Sequence, residues 1–161
     1  MRHWLMKTEP GTYSIDDLRA DGATCWEGVR NYQARNTMRD DMQVGDRVLF
    51  YHSNAKPPGA VGVAEVVREA YPDSYAVDPE SRYHDPKSTP EANRWVMVDL
   101  GFVEKWAGIV SLAQLKADPA LDGMLVTRRG MRLSVQPVEP DHFEHVVALG
   151  HALGEVVRAE E

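Results

Sequence analysis

A single cysteine, Cys25, in 161 residues leaves nothing from which to build a disulfide framework or a multi-cysteine zinc site, as suits a reducing compartment. A lone thiol of this kind is expected to pack as a small apolar residue and not to act as a nucleophile. No run of about 18 apolar residues is present to span a bilayer. The opening Met1-Arg2-His3-Trp4 passes directly into strand-like sequence without the apolar region of a signal peptide. The expected location is therefore cytoplasmic, or nuclear in a eukaryote, with no membrane partner. Positive charge is scarce: 18 Lys and Arg against 25 Asp and Glu give a net charge of -7. Such a surface repels phosphate as a whole, so any contact with nucleic acid has to be local. The phosphate-cradling patterns G-x-x-x-x-G-K-[ST] and G-x-G-x-x-G after a strand are both missing, which argues against nucleotide hydrolysis. Repeats, low-complexity segments and internal linkers are missing too, and residues 1–161 read as one domain whose 43 % apolar content suffices for a core.

What is present alternates between strand and helix signals. Residues 2–7 read as a strand, and Ser14 followed by Asp16 and Asp17 reads as a helix cap with Tyr13 packed before it. Residues 29–41 hold good helix formers without Gly or Pro and are expected to form a second helix. Arg47–His52, Ala60–Glu69 and Trp95–Val103 read as strands. In the second of these, Val61, Val63 and Val67 are expected on one face, with Gly62, Ala64 and Val66 on the other. Between Tyr71 and Arg94, four prolines interrupt a long irregular excursion whose tyrosines are expected to fold it back onto the body. Ser111 with Gln114 opens a short helix. Leu133–Val138 makes a last strand, Pro140 to about Leu153 a last helix, and the final four residues are expected to fray. Five or so strands without a repeating βα unit point to an α+β fold with a curved or barrel-like sheet.

Most catalytic chemistries find weak support. His142 and His145 lie one helical turn apart beside Glu144, but no third ligand follows from the spacing, so no metal is expected. Ser53 and Ser134 lie in no nucleophile elbow, and His52 and Ser53 point to opposite faces of a strand. No cofactor is called for. Four clusters of aromatic and polar residues fare better: Trp4–Pro10, Trp26–Tyr32, Phe50–Ser53 and Arg132–Pro137, each beside a strand or helix end. Together they suit the walls of a pocket for a flat polar molecule such as a nucleobase, because rings stack on rings and amides read edges. Trp26 sits in a loop before a helix start, where the ring can stack and the backbone N–H groups of Val29, Arg30 and Asn31 can donate. Asn31 has the donor and acceptor needed to read a base edge, and Tyr32 supplies a further wall. Lys7, Thr8, Glu9, Ser53, Ser134 and Gln136 are polar residues at strand ends. Arg30, Arg35 and Arg39 on one side and Arg128, Arg129 and Arg132 around Gly130 supply local positive charge.

The stretches Trp4–Pro10, Trp26–Asn36, Phe50–Ser53, Val61–Val66 and Arg132–Pro137 resemble, in the same order, those of EVE-domain proteins, over nearly all of the chain from Trp4 to about Val146. The resemblance implies a PUA-like fold: a small curved mixed β-barrel of about five to six strands flanked by helices, related to the YTH, ASCH and SRA modules that read modified bases. It implies a non-catalytic reader of a modified base, modified cytosine in DNA ahead of RNA, flipped into the Trp26 pocket. Carried over by position, Trp26 and Tyr32 are stacking walls and Gly28, Val29, Arg30 and Asn31 face the base. Lys7, Thr8, Glu9, Ser53, Ser134 and Gln136 complete the rim. Thr8 stands where relatives often have Ser, with a methyl group that narrows the site. Arg35, Arg39, Arg128, Arg129 and Arg132 are the candidates for the nucleic-acid backbone. The alternatives are a small hydrolase using Lys7 and Glu9, and a small-metabolite module suited to the acidic surface.

Overall fold

The computed structural model describes residues 1–159. Its scaffold is one mixed sheet of seven strands: β1 (His3–Thr8), β2 (Ala23–Cys25), β3 (Arg47–His52), β4 (Gly59–Pro72), β5 (Val96–Ser111), β6 (Val135–Val138) and β7 (Val157–Arg158). The order is β2-β5-β4-β3-β1-β6, with β7 pairing β5. Only β1 and β3 run parallel. The expected barrel is an open, curled sheet, since β2 and β6 end the path without pairing to each other. Its curl comes from β4 and β5, whose ladder shifts register four times, each shift bending and twisting the pair.

The period of two along β1 and β3 divides the interior into two cores. Trp4, Met6, Val48 and Phe50 face helices α1 (Ile15–Asp21) and α2 (Tyr32–Asp40), which contribute Ile15, Leu18, Ala34 and Met38. Leu5, Leu49 and Tyr51 face the opposite way, onto α3 (Leu112–Ala117) and α4 (Pro140–His151). Gly150 lets α4 lie flat on Trp106, because a Cβ there would stand 2.2 Å from the indole.

Several boundaries differ from expectation for local reasons. The bulge between Ala60 and Gly62 turns Val61 into the same core as Ala64 and Val66, leaves Val63 in the other, and Val67 is exposed. Helix α1 starts as expected at the Ser14 capping box, whereas α2 starts only after Asn31. The Asn31 carboxamide oxygen accepts from Ala34 N at 3.0 Å, so residues 29–31 are loop. Strands β4 and β5 run on past the expected ends, and the short edge strand β2 pairs three residues with β5. At the C-terminus, fraying was expected from Arg158 on, but Arg158 pairs with β5 and Ala159 N donates to Val103 O, while Glu160 and Glu161 lie outside the described residues.

Candidate functional site

Where β1 ends, its last side chains emerge beside the loop that follows β2, and a cleft of about 440 Å³ opens between them. That volume is within the range of small-molecule sites, roughly 300 to 1,000 Å³. One bank is carried by the sheet. Lys7, Thr8 and Glu9 run along it, Ser134 stands just ahead of β6, and Thr24, Cys25 and Trp26 follow from the β2 edge. Backbone bonds fix this bank, with Lys7 N donating to Ser134 O at 2.9 Å and Trp26 N to Val98 O at 2.7 Å. The Trp26 indole is 8 % exposed. It stands edge-on to Phe50 and Tyr13, at centroid distances of 5.5 and 6.3 Å, which fixes its tilt.

The opposite bank belongs to the excursion between β4 and β5, where Ser74–Val77 makes a single 3-10 turn and the rest is turns. Tyr75, Arg82 and Tyr83 face the cleft from it. Asp73, fully buried, binds the two banks together. One carboxylate oxygen accepts from Gly28 N and from an Arg30 terminal nitrogen, both at 3.0 Å, and the other accepts from Tyr75 N at 2.9 Å. Arg30 in turn donates to Tyr83 O through Nε and a terminal nitrogen, at 3.2 and 2.8 Å. The Tyr83 ring lies directly on Gly28, whose φ of +84° and missing Cβ allow the approach: a methyl there would meet ring carbons at 2.6 Å.

Donors and acceptors inside the cleft are partly committed. Lys7 Nζ donates to Met131 O at 3.0 Å, and burial lowers the pKa of its ammonium. Thr8 donates its hydroxyl to Tyr13 O at 3.0 Å and keeps its lone pairs for a ligand. Neither Val29 N nor Arg30 N donates to another described residue. Burial, reinforced by Glu27, pushes the Cys25 thiol up to about 11, so it is protonated at neutral pH. Burial likewise holds the Tyr13 phenol up at about 12. The cleft thus offers aromatic surfaces, fixed amide donors, hydroxyl groups and charges of both signs, a set suited to a flat heterocycle with a polar edge.

Comparison with known proteins places this architecture. A family model of the EVE domain matches residues 2–149. The chain belongs to the EVE family. Human thymocyte nuclear protein 1 is 40 % identical over 167 residues, covering 91 % of this chain and 73 % of that protein. A structure from Leishmania major superposes with a TM-score of 0.89 at 49 % identity, covering 94 % of this chain and 96 % of the other. The crystal structure of human THYN1 in complex with 5-methylcytosine-containing DNA gives a TM-score of 0.85 at 40 % identity, covering 94 % and 98 %. The fold of this EVE domain is α+β and PUA-like, built on the open sheet described above.

Within the EVE domain, Lys7, Thr8, Glu9, Trp26, Gly28, Val29, Arg30 and Ser134 meet around the cleft. Four other residues expected there do not line it. Asn31 is spent on capping α2. Tyr32 stacks on Trp95 at 4.8 Å, and Arg35 stands 4.8 Å from the Tyr32 ring centroid. Gln136 is buried and donates to Leu133 O at 2.8 Å, folded back because Ser134 precedes the strand and the period of two does not extend to it. Ser53 only meets the backbone of Thr8, donating N–H to its carbonyl. Among the arginines, Arg39 is clamped on its neighbour Asp40 and Arg35 donates to Asn36 and to Arg94 O; neither lines the cleft. Arg128, Arg129 and Arg132 are exposed around the loop whose Met131 carbonyl holds Lys7. Tyr13, Tyr75, Arg82, Tyr83 and Glu27 are cleft residues that the sequence reading did not assign. His145, weighed as a metal ligand, is bonded to Asp118 at 2.7 Å, and no cluster suited to a metal occurs among the described residues.

Proposed function

We propose that the chain acts as a single, non-catalytic EVE domain that reads a modified cytosine in DNA, with the base turned out of the helix into the cleft beside Trp26. One observation carries the reading. A cleft of base size, with Trp26 in one bank and Tyr83 in the other, occurs in a fold shared with human THYN1, whose crystal structure is a complex with 5-methylcytosine-containing DNA. Stacking between the banks would hold the ring, while Thr8, Ser134 and the N–H groups of Val29 and Arg30 would meet its polar edge. An aromatic stack contributes roughly 1 to 3 kcal/mol per base, which supplies affinity to a protein whose net charge of -7 gives no general attraction to DNA and leaves the choice of base to the contacts at its edge. Arg128, Arg129 and Arg132 would meet flanking phosphates from the sheet bank.

A catalytic role gains little from the same geometry. The Cys25 thiol is held protonated and the Lys7 ammonium is tied to Met131 O, so neither is poised to attack. The test is fluorescence anisotropy with duplexes that differ only in one 5-methylcytosine. Wild-type protein is expected to prefer the modified duplex, and Tyr83→Ala, which leaves the sheet untouched, to lose about tenfold in affinity for it, in line with one stacked base. Equal affinity of the wild type for both duplexes would overturn the reading.

A further inference from the structure

A second cleft, of about 370 Å³, lies on the far side of Tyr83 and shares Arg30, Arg82 and Tyr83 with the first. Its remaining walls come from the excursion, down to the residues just ahead of β5: residues 84–87, Arg94 and Trp95, with Tyr32 from the start of α2. We propose that this second cleft holds the phosphodiester and sugar of the nucleotide next to the turned-out base, with Lys87 and Arg94 as its phosphate contacts. The inference rests on the base-reading function above and adds to it a site with its own chemistry.

Charge supports the assignment. Lys87, Arg82 and Arg94 are exposed, and among the described residues none forms an ion pair, whereas Arg30 is paired with Asp73 and Arg39 with Asp40. Unpaired cations gathered beside one cleft are out of keeping with a chain in which acids outnumber bases by 25 to 18. The carboxylate lining the cleft, Asp85, has its oxygens occupied by Lys87 N, Ser88 Oγ and Trp95 Nε1, at 3.0, 3.0 and 2.7 Å, so its charge is already satisfied by the fold's own donors. An incoming phosphate would meet ammonium and guanidinium groups first.

Geometry supports it as well. Guanidinium groups and rings follow one another in a continuous ladder: Arg35 by Tyr32 at 4.8 Å, Tyr32 by Trp95 at 4.8 Å, Trp95 by Arg30 at 5.4 Å, Arg30 by Tyr83 at 5.9 Å and Tyr83 by Arg82 at 5.1 Å. The ladder runs from one cleft to the other; its Arg30 and Arg35 already spend their N–H groups on Asp73, Tyr83 O, Asn36 and Arg94 O, whereas Arg82, held against the Tyr83 ring, donates to no other described residue and keeps its N–H groups for an outside acceptor. Tyr32 and Trp95 are each contacted by two members of it, so the second cleft offers charge in place of a stacking slot. That is the provision a backbone needs, and it carries no sequence preference.

The test compares affinities for modified and unmodified duplexes over a range of salt, in wild type, Lys87→Ala, Arg94→Ala and the double variant. Lys116→Ala, which removes the same charge from an exposed position on α3, serves as control. Each cleft variant is expected to weaken both duplexes by the same factor and to lower the slope of log affinity against log salt by about 1, the double variant by about 2. The preference ratio is expected to survive. A double variant with unchanged slope and affinity would overturn the second cleft while leaving the base reader standing. A wild type without preference, whose slope still falls in the double variant, would instead overturn the base reader and keep the backbone site.

Discussion

The two banks of the principal cleft are built in opposite ways. The sheet bank, from Lys7 to Glu9 with Trp26 and Ser134, inherits its geometry from β-ladders and from the core that Trp26 helps to fill. The excursion bank has no ladder. Tyr75, Arg82 and Tyr83 are held by turns and by one buried carboxylate, Asp73, which reaches Gly28 and Arg30 across more than forty residues of chain. A rigid bank fixes where a ring can lie, and a loop bank fixes what can close over it. Recognition by this molecule therefore depends on a tether as much as on a scaffold, and the two are separable by mutation.

Removing the tether is the most severe way to separate them. Asp73→Ala deprives Gly28 N, Tyr75 N and the partly exposed Arg30 guanidinium of their acceptor. Breaking a buried, hydrogen-bonded pair of this kind costs about 3 kcal/mol. Urea unfolding should report that loss, and hydrogen exchange should rise over residues 74–94 while β1 and β3 remain protected. Equal loss of protection in both regions would mean that the banks unfold as one and that the distinction fails.

Gly28→Ala acts on the contact between the banks and is milder. The left-handed backbone opposes a side chain by about 1 to 2 kcal/mol, and the new methyl group, which would stand 2.6 Å from the Tyr83 ring, would displace that ring from Gly28. Melting should show a modest loss of stability, accompanied by a larger loss of preference for the modified duplex. A variant that binds with full preference would show that the closeness of Tyr83 to Gly28 does not shape the site.

The same division governs what the sequence reveals. Strands β1 and β3 are legible because apolar residues fill both faces of short β-branched and aromatic runs, and α1 because Ser14, Asp16 and Asp17 mark its start. Asn31 carried a signal too: a side chain that caps well, three residues before Ala34 in a run of helix formers, is a helix start before it is a base reader. The seat of Tyr83 had no such signal. It depends on a carboxylate at Asp73 finding a guanidinium at Arg30, and no local period records a pairing so distant. The bulges that turn Val61 over and extend β4 and β5 are fixed by partner strands, and for that reason are equally hidden from a local reading.

The smallest expected effect concerns pH and the sheet bank alone. His52, at the end of β3, accepts from Ile15 N at 3.1 Å and stands edge-on to Phe50, the ring beneath Trp26. Burial lowers its pKa below the ordinary 6.5, so the fold prefers the neutral imidazole. The unfolded chain then binds the proton more readily than the folded one, and the contribution of His52 is complete above about pH 6.5 and is lost as pH falls through its folded value. A protonated ring could no longer accept from Ile15, and the start of α1 would loosen together with Tyr13 and the support of Trp26. Melting temperature is accordingly expected to fall from pH 7 to pH 5, and His52→Gln, whose amide oxygen can accept at any pH, to flatten that slope. Exchange at the start of α1 should follow the same titration while residues 74–94, which are held through Asp73 and not through His52, do not. A fall of equal size in His52→Gln would assign the slope elsewhere, with His3, also lowered by burial, as the next group to replace.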